Sequence, residues 1–390
     1  MKDSTRLVTL GRDHHTQATG DTADFVNPPL VRGSTVLHDS VADLRERVAR
    51  RNAGADGPPV AYGIYGSPTH HAFYDALTAL EGGYRSWAFP SGLTACTMAI
   101  LAYVAQGDHV LVPDSVYFPT RRFCRDTLPR YGVTTTFYDP RIGTEIEALF
   151  TPTTRVLFLE SPGSHTFEMQ DVPLLAAIAQ RHGAVSIIDN TWATPLYFQP
   201  LKHGVDVSVH AATKYIGGHS DLLMGTVTST ERAWPRLRET IHHYGLTVSA
   251  DECYLALRGL RSMGARLAQH RATAEALIAW LKQQPEVERI LYPADPADPG
   301  YALWQRDMTG ASGLFGVVLK PSITQHQMAT LIDGLQLFGR GYSWGGFESL
   351  LSGVRPLAAV RSTLRNGGLP YLARWAMRCA RVAVPATAHG

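Results

Sequence analysis

From about Tyr62 onward the chain alternates short apolar runs with amphipathic stretches. DHVLVP (Asp108 to Pro113), TRVLFLESP (Thr154 to Pro162), AVSIIDN (Ala184 to Asn190) and DVSVHA (Asp206 to Ala211) are nearly continuous in their apolar character. Strands buried on both faces read this way. Between the second and third lies DVPLLAAIAQRHG, with Asp171 placed to cap the start of a helix and Gly183 its end. Strand, helix and strand at this spacing predict βαβ units and a mostly parallel sheet covered on both faces. From about Asp251 a long helical region follows, then strand patterns in SGLFGVVLK (Ser312 to Lys320) and GLQLFGRGYSW (Gly334 to Trp344) with a helical pattern between them. These predict a second, smaller α/β domain. Residues 1–60 read as an irregular arm, turn-rich at NPPLV and NAGADGPPV, with one helix in SVADLRERVARR behind Ser40. The expected division is an arm over 1–60, a large α/β domain over 61–255 and a C-terminal domain over 256–390, atypical after about residue 375.

Composition narrows the partners. The 390 residues are 45% hydrophobic and 18% charged, which is globular. A formal net charge of +2 gives no electrostatic case for nucleic acid or an acidic membrane surface. The four cysteines, Cys96, Cys124, Cys253 and Cys379, are scattered and form no CxxC pair. Neither a metal knuckle nor a disulfide scaffold is expected, and a reducing compartment suits them. The polar N-terminus has no signal-peptide core, and no apolar run reaches the ~18 residues of a membrane span. A soluble cytoplasmic protein is expected.

The ends of the strands carry the candidate chemistry, because ligands of parallel sheets bind at the carboxyl ends of their strands. Ser161 and Pro162, Asp189 and Asn190, and Thr213 and Lys214 lie at such ends. Lys214, in HAATKYIGGHSD, is walled in by small residues. A lysine there is costly to desolvate unless it snorkels to water or is used. Asp189 and Lys214 could form an ion pair. Equally, each could face a cofactor between them, the carboxylate holding a pyridinium N–H and the amine bonding covalently to an aldehyde. In FPSGLTACTMAILAYVAQG, Gly92 opens an apolar helix that is either an ordinary capped start or an anion site. Tyr117, in DSVYFPT, is either a packing residue or a stacking platform.

Taken together, YGIYGSPTH, LEGGY, FPSGLTA, QGDHVLVPDSVY, FLESPGS, IIDNTWATP, HAATKYIGGHSD and YSWGGFESL resemble the pyridoxal-phosphate enzymes of cysteine and methionine metabolism. The likeness spans about Tyr62 to Ser352. It implies the type I (aspartate aminotransferase-like) α/β fold, pyridoxal 5'-phosphate as cofactor and a homotetramer of dimers with shared active sites. It also implies that Lys214 tethers the cofactor and serves as base, that Asp189 holds the ring nitrogen and that Tyr117 stacks on the ring. The N–H groups of Gly92 and Leu93 and the Thr213 hydroxyl would bind the phosphate. Tyr62 would reach the site from the partner subunit. Ser343 and Trp344 would line the substrate side, and Arg374 would take the substrate α-carboxylate, with Arg361, Arg365 and Arg378 as alternatives. The implied reaction is carbon–sulfur β-elimination from an amino acid, with L-cystathionine yielding homocysteine, pyruvate and ammonia. Trp344 favours it over γ-elimination or γ-replacement, and cysteine desulfhydration is a further alternative. A cofactor-binding protein with little catalysis is the reading from a different class.

Two departures stand out. Where the family ordinarily has Tyr-x-Arg, with the arginine on the phosphate across the dimer, this chain has Tyr62-Gly63-Ile64. One charged hydrogen bond is worth about 1.5–3 kcal/mol. The phosphate must then rely on the helix N-terminus and hydroxyls, on another group, or bind more weakly. Residues 351–390 also contain no Asp, Glu or Lys but several Arg. A divergent surface tail and a shifted reading frame near the end of the gene both account for that.

Overall fold

A computed structural model describes residues 3–11, 25–354 and 372–376. Helices α1 (Asp3–Thr9), α2 (Val41–Asn52) and α3 (Pro68–Glu81) come first. The large sheet is then laid down by β1 (Arg85–Phe89), α4 (Gly92–Leu101), β2 (His109–Pro113), α5 (Phe118–Arg122), β3 (Thr134–Tyr138) and β4 (Thr154–Glu160). It continues through α6 (Val172–Arg181), β5 (Val185–Asp189), α7 (Thr194–Tyr197), β6 (Val207–Ala211) and β7 (Gly225–Ser229). The order across this seven-stranded sheet is β1-β7-β6-β5-β4-β2-β3. Strands β6, β5, β4, β2 and β3 run parallel, and β7 is antiparallel to both β6 and β1. The four apolar runs are therefore strands, and the α/β reading holds.

Strands β1, β3 and β7 do not stand out in the hydrophobic pattern. β7 reads GTVTS, yet Thr226, Thr228 and Ser229 are fully buried. Part of their polarity is absorbed across the sheet, where the Ser86 and Thr228 hydroxyls lie 2.7 Å apart. The N-terminal arm also differs from its irregular reading. α1 packs on α3 and on a later helix, with Leu7 only 3% exposed. Asp171 and Ser40 cap α6 and α2 as the sequence indicates.

After α8 (Trp234–His243) comes α9 (Ala250–Leu281), a 32-residue helix opened by a capping box between Ser249 and Glu252. Its first half, Cys253 to Leu267, is buried in the core beside the large sheet. Its end, Ala274 to Leu281, belongs to a second core. That core lies against a second sheet, with β8 (Val287–Leu291), α10 (Tyr301–Asp307), β9 (Leu314–Leu319), α11 (Gln325–Gly334), β10 (Gly339–Arg340), β11 (Leu350–Val354) and β12 (Leu372–Ala376). The order of these five strands is β10-β11-β12-β9-β8. The run GLQLFGRGYSW supplies only the two-residue β10. The rest of it becomes a loop that returns toward the large sheet.

Helix α9 also backs the segment after β6. Arg266 Nη2 donates to the carbonyls of Tyr215 and Gly259, each at 2.8 Å. Gly259 lies so close that a Cβ there would be 2.1 Å from the Ile216 carbonyl oxygen. Gly259→Ala should therefore destabilise the protein by about 1–3 kcal/mol through overpacking, although alanine is the better helix former by about 1 kcal/mol. Urea unfolding of the two proteins checks this, and a stabilised variant would refute the close contact.

Candidate active site

Five strand ends converge on one edge of the large sheet. β1 delivers α4, β2 delivers the loop with Tyr117, β4 ends in Glu160, β5 in Asp189, and β6 leads into Thr213 and Lys214. Parallel registry sets Glu160 beside Asp189. Each group is then fixed by a neighbour.

The N-terminus of α4 is capped by Ser91, whose hydroxyl accepts the Thr94 N–H at 3.0 Å. Helix geometry leaves the N–H groups of Gly92 and Leu93 without intrahelical acceptors. Here α4 presses on β6, so a Cβ on Gly92 would lie 2.6 Å from that of Ala211. These donors and the positive helix end are suited to an anion at the strand edge. Thr213 is placed next to it by Met224. Its hydroxyl accepts the Met224 N–H at 2.9 Å and donates to the Met224 carbonyl at 3.2 Å. A hydroxyl has one proton, so a Thr213 contact to an anion requires that proton to turn away from Met224.

Asp189 is partly buried. Its Oδ1 accepts the Thr191 N–H at 3.0 Å and the Thr191 hydroxyl. Its Oδ2 faces Cys96 Sγ at 3.7 Å. Lys214 Nζ donates to Ser343 Oγ at 2.5 Å and lies 5.4 Å from the centre of the Trp344 ring. An ion pair between Lys214 and Asp189, one of the two alternatives at these strand ends, is not among the salt bridges of the described residues. The loop bearing Ser343 is packed onto the lysine backbone. Gly345, at φ +87°, disfavours any side chain, and a Cβ there would be a tight 3.0 Å from the Lys214 carbonyl carbon. Ser343 itself has φ +89°, a conformation uncommon outside glycine.

Tyr117 is 43% exposed, and its N–H donates to Glu160 Oε2 at 2.7 Å. Tyr62 is 49% exposed and precedes a short 3-10 turn, Gly63–Tyr65. Within the single chain, the described contacts do not bring it to Lys214. Beside Ile64, the Tyr65 ring carries the Arg51 guanidinium at 4.9 Å. Arg374 lies on β12, opposite Ser352 and Gly316. Its side chain, and all of Arg361, Arg365 and Arg378, lie outside the described residues, as do Cys379 and most of the arginine-rich tail.

Three residues of the site went unnamed in the sequence pattern. Glu160 was visible as a lone carboxylate in an apolar run. Thr191 had a local signal, standing two residues after Asp189 where an Asx-type turn forms. Cys96 had none, because it meets Asp189 across the fold. Two strand-end residues are structural instead. Ser161 Oγ accepts the Gln170 N–H at 3.0 Å, and Asn190 Nδ2 donates to the Phe198 carbonyl at 2.9 Å. Ser161–Pro162 is a cis peptide.

The donor set suits pyridoxal phosphate: helix N–H groups for a phosphate, a carboxylate for a ring N–H, a primary amine for an aldehyde and a phenol for the ring face. The fold and this set define a class. The chain belongs to the Cys/Met metabolism PLP-dependent enzyme family, whose model matches residues 5–360. Pyridoxal phosphate is the cofactor of that family. Among its relatives, a putative cystathionine beta-lyase of Rhizobium johnstonii is 47% identical over 89% of this chain and 85% of its own length. The cystathionine beta-lyase MetC of Escherichia coli is 41% identical over 92% of this chain and 90% of its own. Among solved structures, cystathionine gamma-lyase from Lactobacillus plantarum superposes with a TM-score of 0.86 at 28% identity, covering 98% of this chain and 95% of that one.

Thr213→Val keeps the shape of the side chain but strands the buried Met224 N–H. An unpaired buried donor costs about 1–3 kcal/mol, so the variant should unfold at lower urea by that margin. Equal stability would mean that the Met224 contact contributes nothing.

Proposed function

We propose that this protein is a carbon–sulfur β-lyase that cleaves L-cystathionine to homocysteine, pyruvate and ammonia with the uptake of one water. The observation that carries it is the lysine environment, Lys214 between the Ser343 hydroxyl and the Trp344 face, in a chain 41% identical to a cystathionine beta-lyase.

Bound pyridoxal phosphate supplies an electron sink for negative charge at the substrate Cα. The residues do the rest. The N–H groups of Gly92 and Leu93, with the Thr213 hydroxyl, would hold the phosphate. Tyr117 would lie against the ring. Asp189 would keep the ring nitrogen protonated, which sustains the sink. Lys214 would tether the cofactor at rest, and its amine, when free and neutral, would take the substrate Cα proton, with Ser343 Oγ, which accepts from Nζ, orienting it. The Cβ–S bond then breaks, the sulfur leaves with its electron pair and gains a proton, and the remaining three-carbon unit is hydrolysed to pyruvate and ammonia. Trp344 narrows the pocket beyond Cβ, which favours β- over γ-cleavage. Arg374 is the proposed partner of the α-carboxylate. The active form is a homotetramer of dimers, with Tyr62 reaching the partner's site, and it works in the cytoplasm. No described helix is long and apolar enough to cross a membrane.

Incubation with L-cystathionine should release pyruvate and a free thiol in equal amounts; 2-oxobutyrate in place of pyruvate would reverse the assignment to γ-cleavage. Lys214→Ala should lose the visible absorption of its lysine-linked cofactor and at least ~10²–10⁴-fold in turnover, the usual range for a general base. Pyruvate release at the wild-type rate would remove Lys214 from the mechanism. Asp189→Asn should keep the cofactor but slow exchange of the substrate Cα proton with solvent by about 10²–10³-fold. Proton NMR in D₂O reads this rate, and an unchanged rate would count against Asp189 as partner of the ring nitrogen.

A further inference from the structure

The Asp189 carboxylate is held unevenly. Oδ1 takes two donors from Thr191, whose hydroxyl in turn accepts the Ala211 N–H at 2.9 Å and so ties the end of β5 to that of β6. On the other side, Oδ2 meets the Cys96 thiol at 3.7 Å. Cys96 comes from α4, the helix whose N-terminus forms the anion site, and is 2% exposed. Burial, and after it the charges of Asp189 and Glu160, push its thiol well above the ordinary range. Sulfur therefore carries its proton and is a donor. A thiol is a weak donor, so Oδ2 retains most of its charge for a second partner.

We propose that Cys96 is a positioning residue for Asp189: its S–H steers Oδ2 toward the cofactor ring nitrogen while withdrawing little of the negative charge. The proposal rests on the reading that Asp189 holds that nitrogen. A hydroxyl at the same place would compete harder for the carboxylate, and an apolar group would leave Oδ2 free to turn. The thiol is the intermediate choice. It also couples two parts of the cofactor site, because the helix that presents Gly92 and Leu93 to the phosphate presents Cys96 to the carboxylate.

Two measurements on the holoenzyme test it. Loaded with ¹⁵N-labelled pyridoxal phosphate, the Cys96→Ala variant should move the ring-nitrogen chemical shift toward that of an unpaired pyridine, and Cys96→Ser should recover at least half of the displacement. In the infrared, the wild-type minus Cys96→Ala difference isolates the Cys96 S–H stretch. That band should rise in frequency when Asp189→Asn weakens the acceptor. An S–H band unmoved by Asp189→Asn would overturn the contact, and a ring-nitrogen shift unmoved by Cys96→Ala would overturn the positioning role. The two levels separate through a further arm. If Asp189→Asn leaves the ring-nitrogen shift unchanged, the assignment of Asp189 fails and this proposal falls with it. If Asp189→Asn moves the shift and Cys96→Ala does not, only the role of Cys96 is lost.

Discussion

Charged side chains at the ends of buried strands must be hydrogen-bonded or they destabilise the fold. This constraint organises the carboxyl edge of the large sheet. Glu160, Asp189 and Lys214 all stand there, and each takes its partner from another element: the Tyr117 N–H, Thr191 with Cys96, and Ser343. The partners arrive from the loop after β2, from the turn after β5, from α4 and from the second sheet's return loop. Holding three charges in place thus requires the whole edge to be assembled. It also fixes those charges at points from which they can act on a bound molecule.

The small-residue surroundings of Lys214 follow from the same packing. Ala211 meets Gly92, Gly345 meets the lysine carbonyl carbon, and Gly259 of α9 meets the Ile216 carbonyl. Close main-chain packing on three sides fixes the lysine backbone, and its side chain is held separately by Ser343. Trp344 packs against both hydrophobic cores. Its ring therefore stands where the two sheets meet, beside the amine that the proposed reaction needs.

Strands with continuous apolar runs, β2, β4, β5 and β6, were legible because burial on both faces leaves a clear mark on sequence. β7 was not, because Thr and Ser fill most of its buried positions, with one cross-strand hydroxyl contact between Ser86 and Thr228. α1 escaped because DSTRLVT has few apolar residues; it is held by Leu7 together with hydrogen bonds of Arg6 to Ala79 and of Arg261 to Val8. The site divides in the same way. Lys214, Asp189, Gly92 and Tyr117 were named from strand ends and motifs, and the strand ends and their following loops bring that edge together. Thr191 and Glu160 carry local signals, an Asx-type turn after Asp189 and a lone carboxylate in an apolar run. Cys96 had no local signal, since its meaning depends on a contact with a residue far along the chain. The role proposed for Tyr62 involves a second copy of the chain, and the side chain of Arg374 lies outside the described residues.

Gly345 has a consequence for how such a protein diverges. It is the floor on which the lysine backbone rests, and a side chain there would press on main chain rather than on a movable group, at a strained φ. The adjoining Ser343 is exposed and Trp344 only partly buried. A substitution at either position leaves the backbone contact at Gly345 in place, but Ser343 carries the partner of Lys214 and Trp344 packs on both cores. In the proposed role of this loop, substrate preference can shift only through residues that also hold the lysine and the core. New specificities can arise on the scaffold by exchanging residues over the lysine, and the cradle beneath is inherited intact.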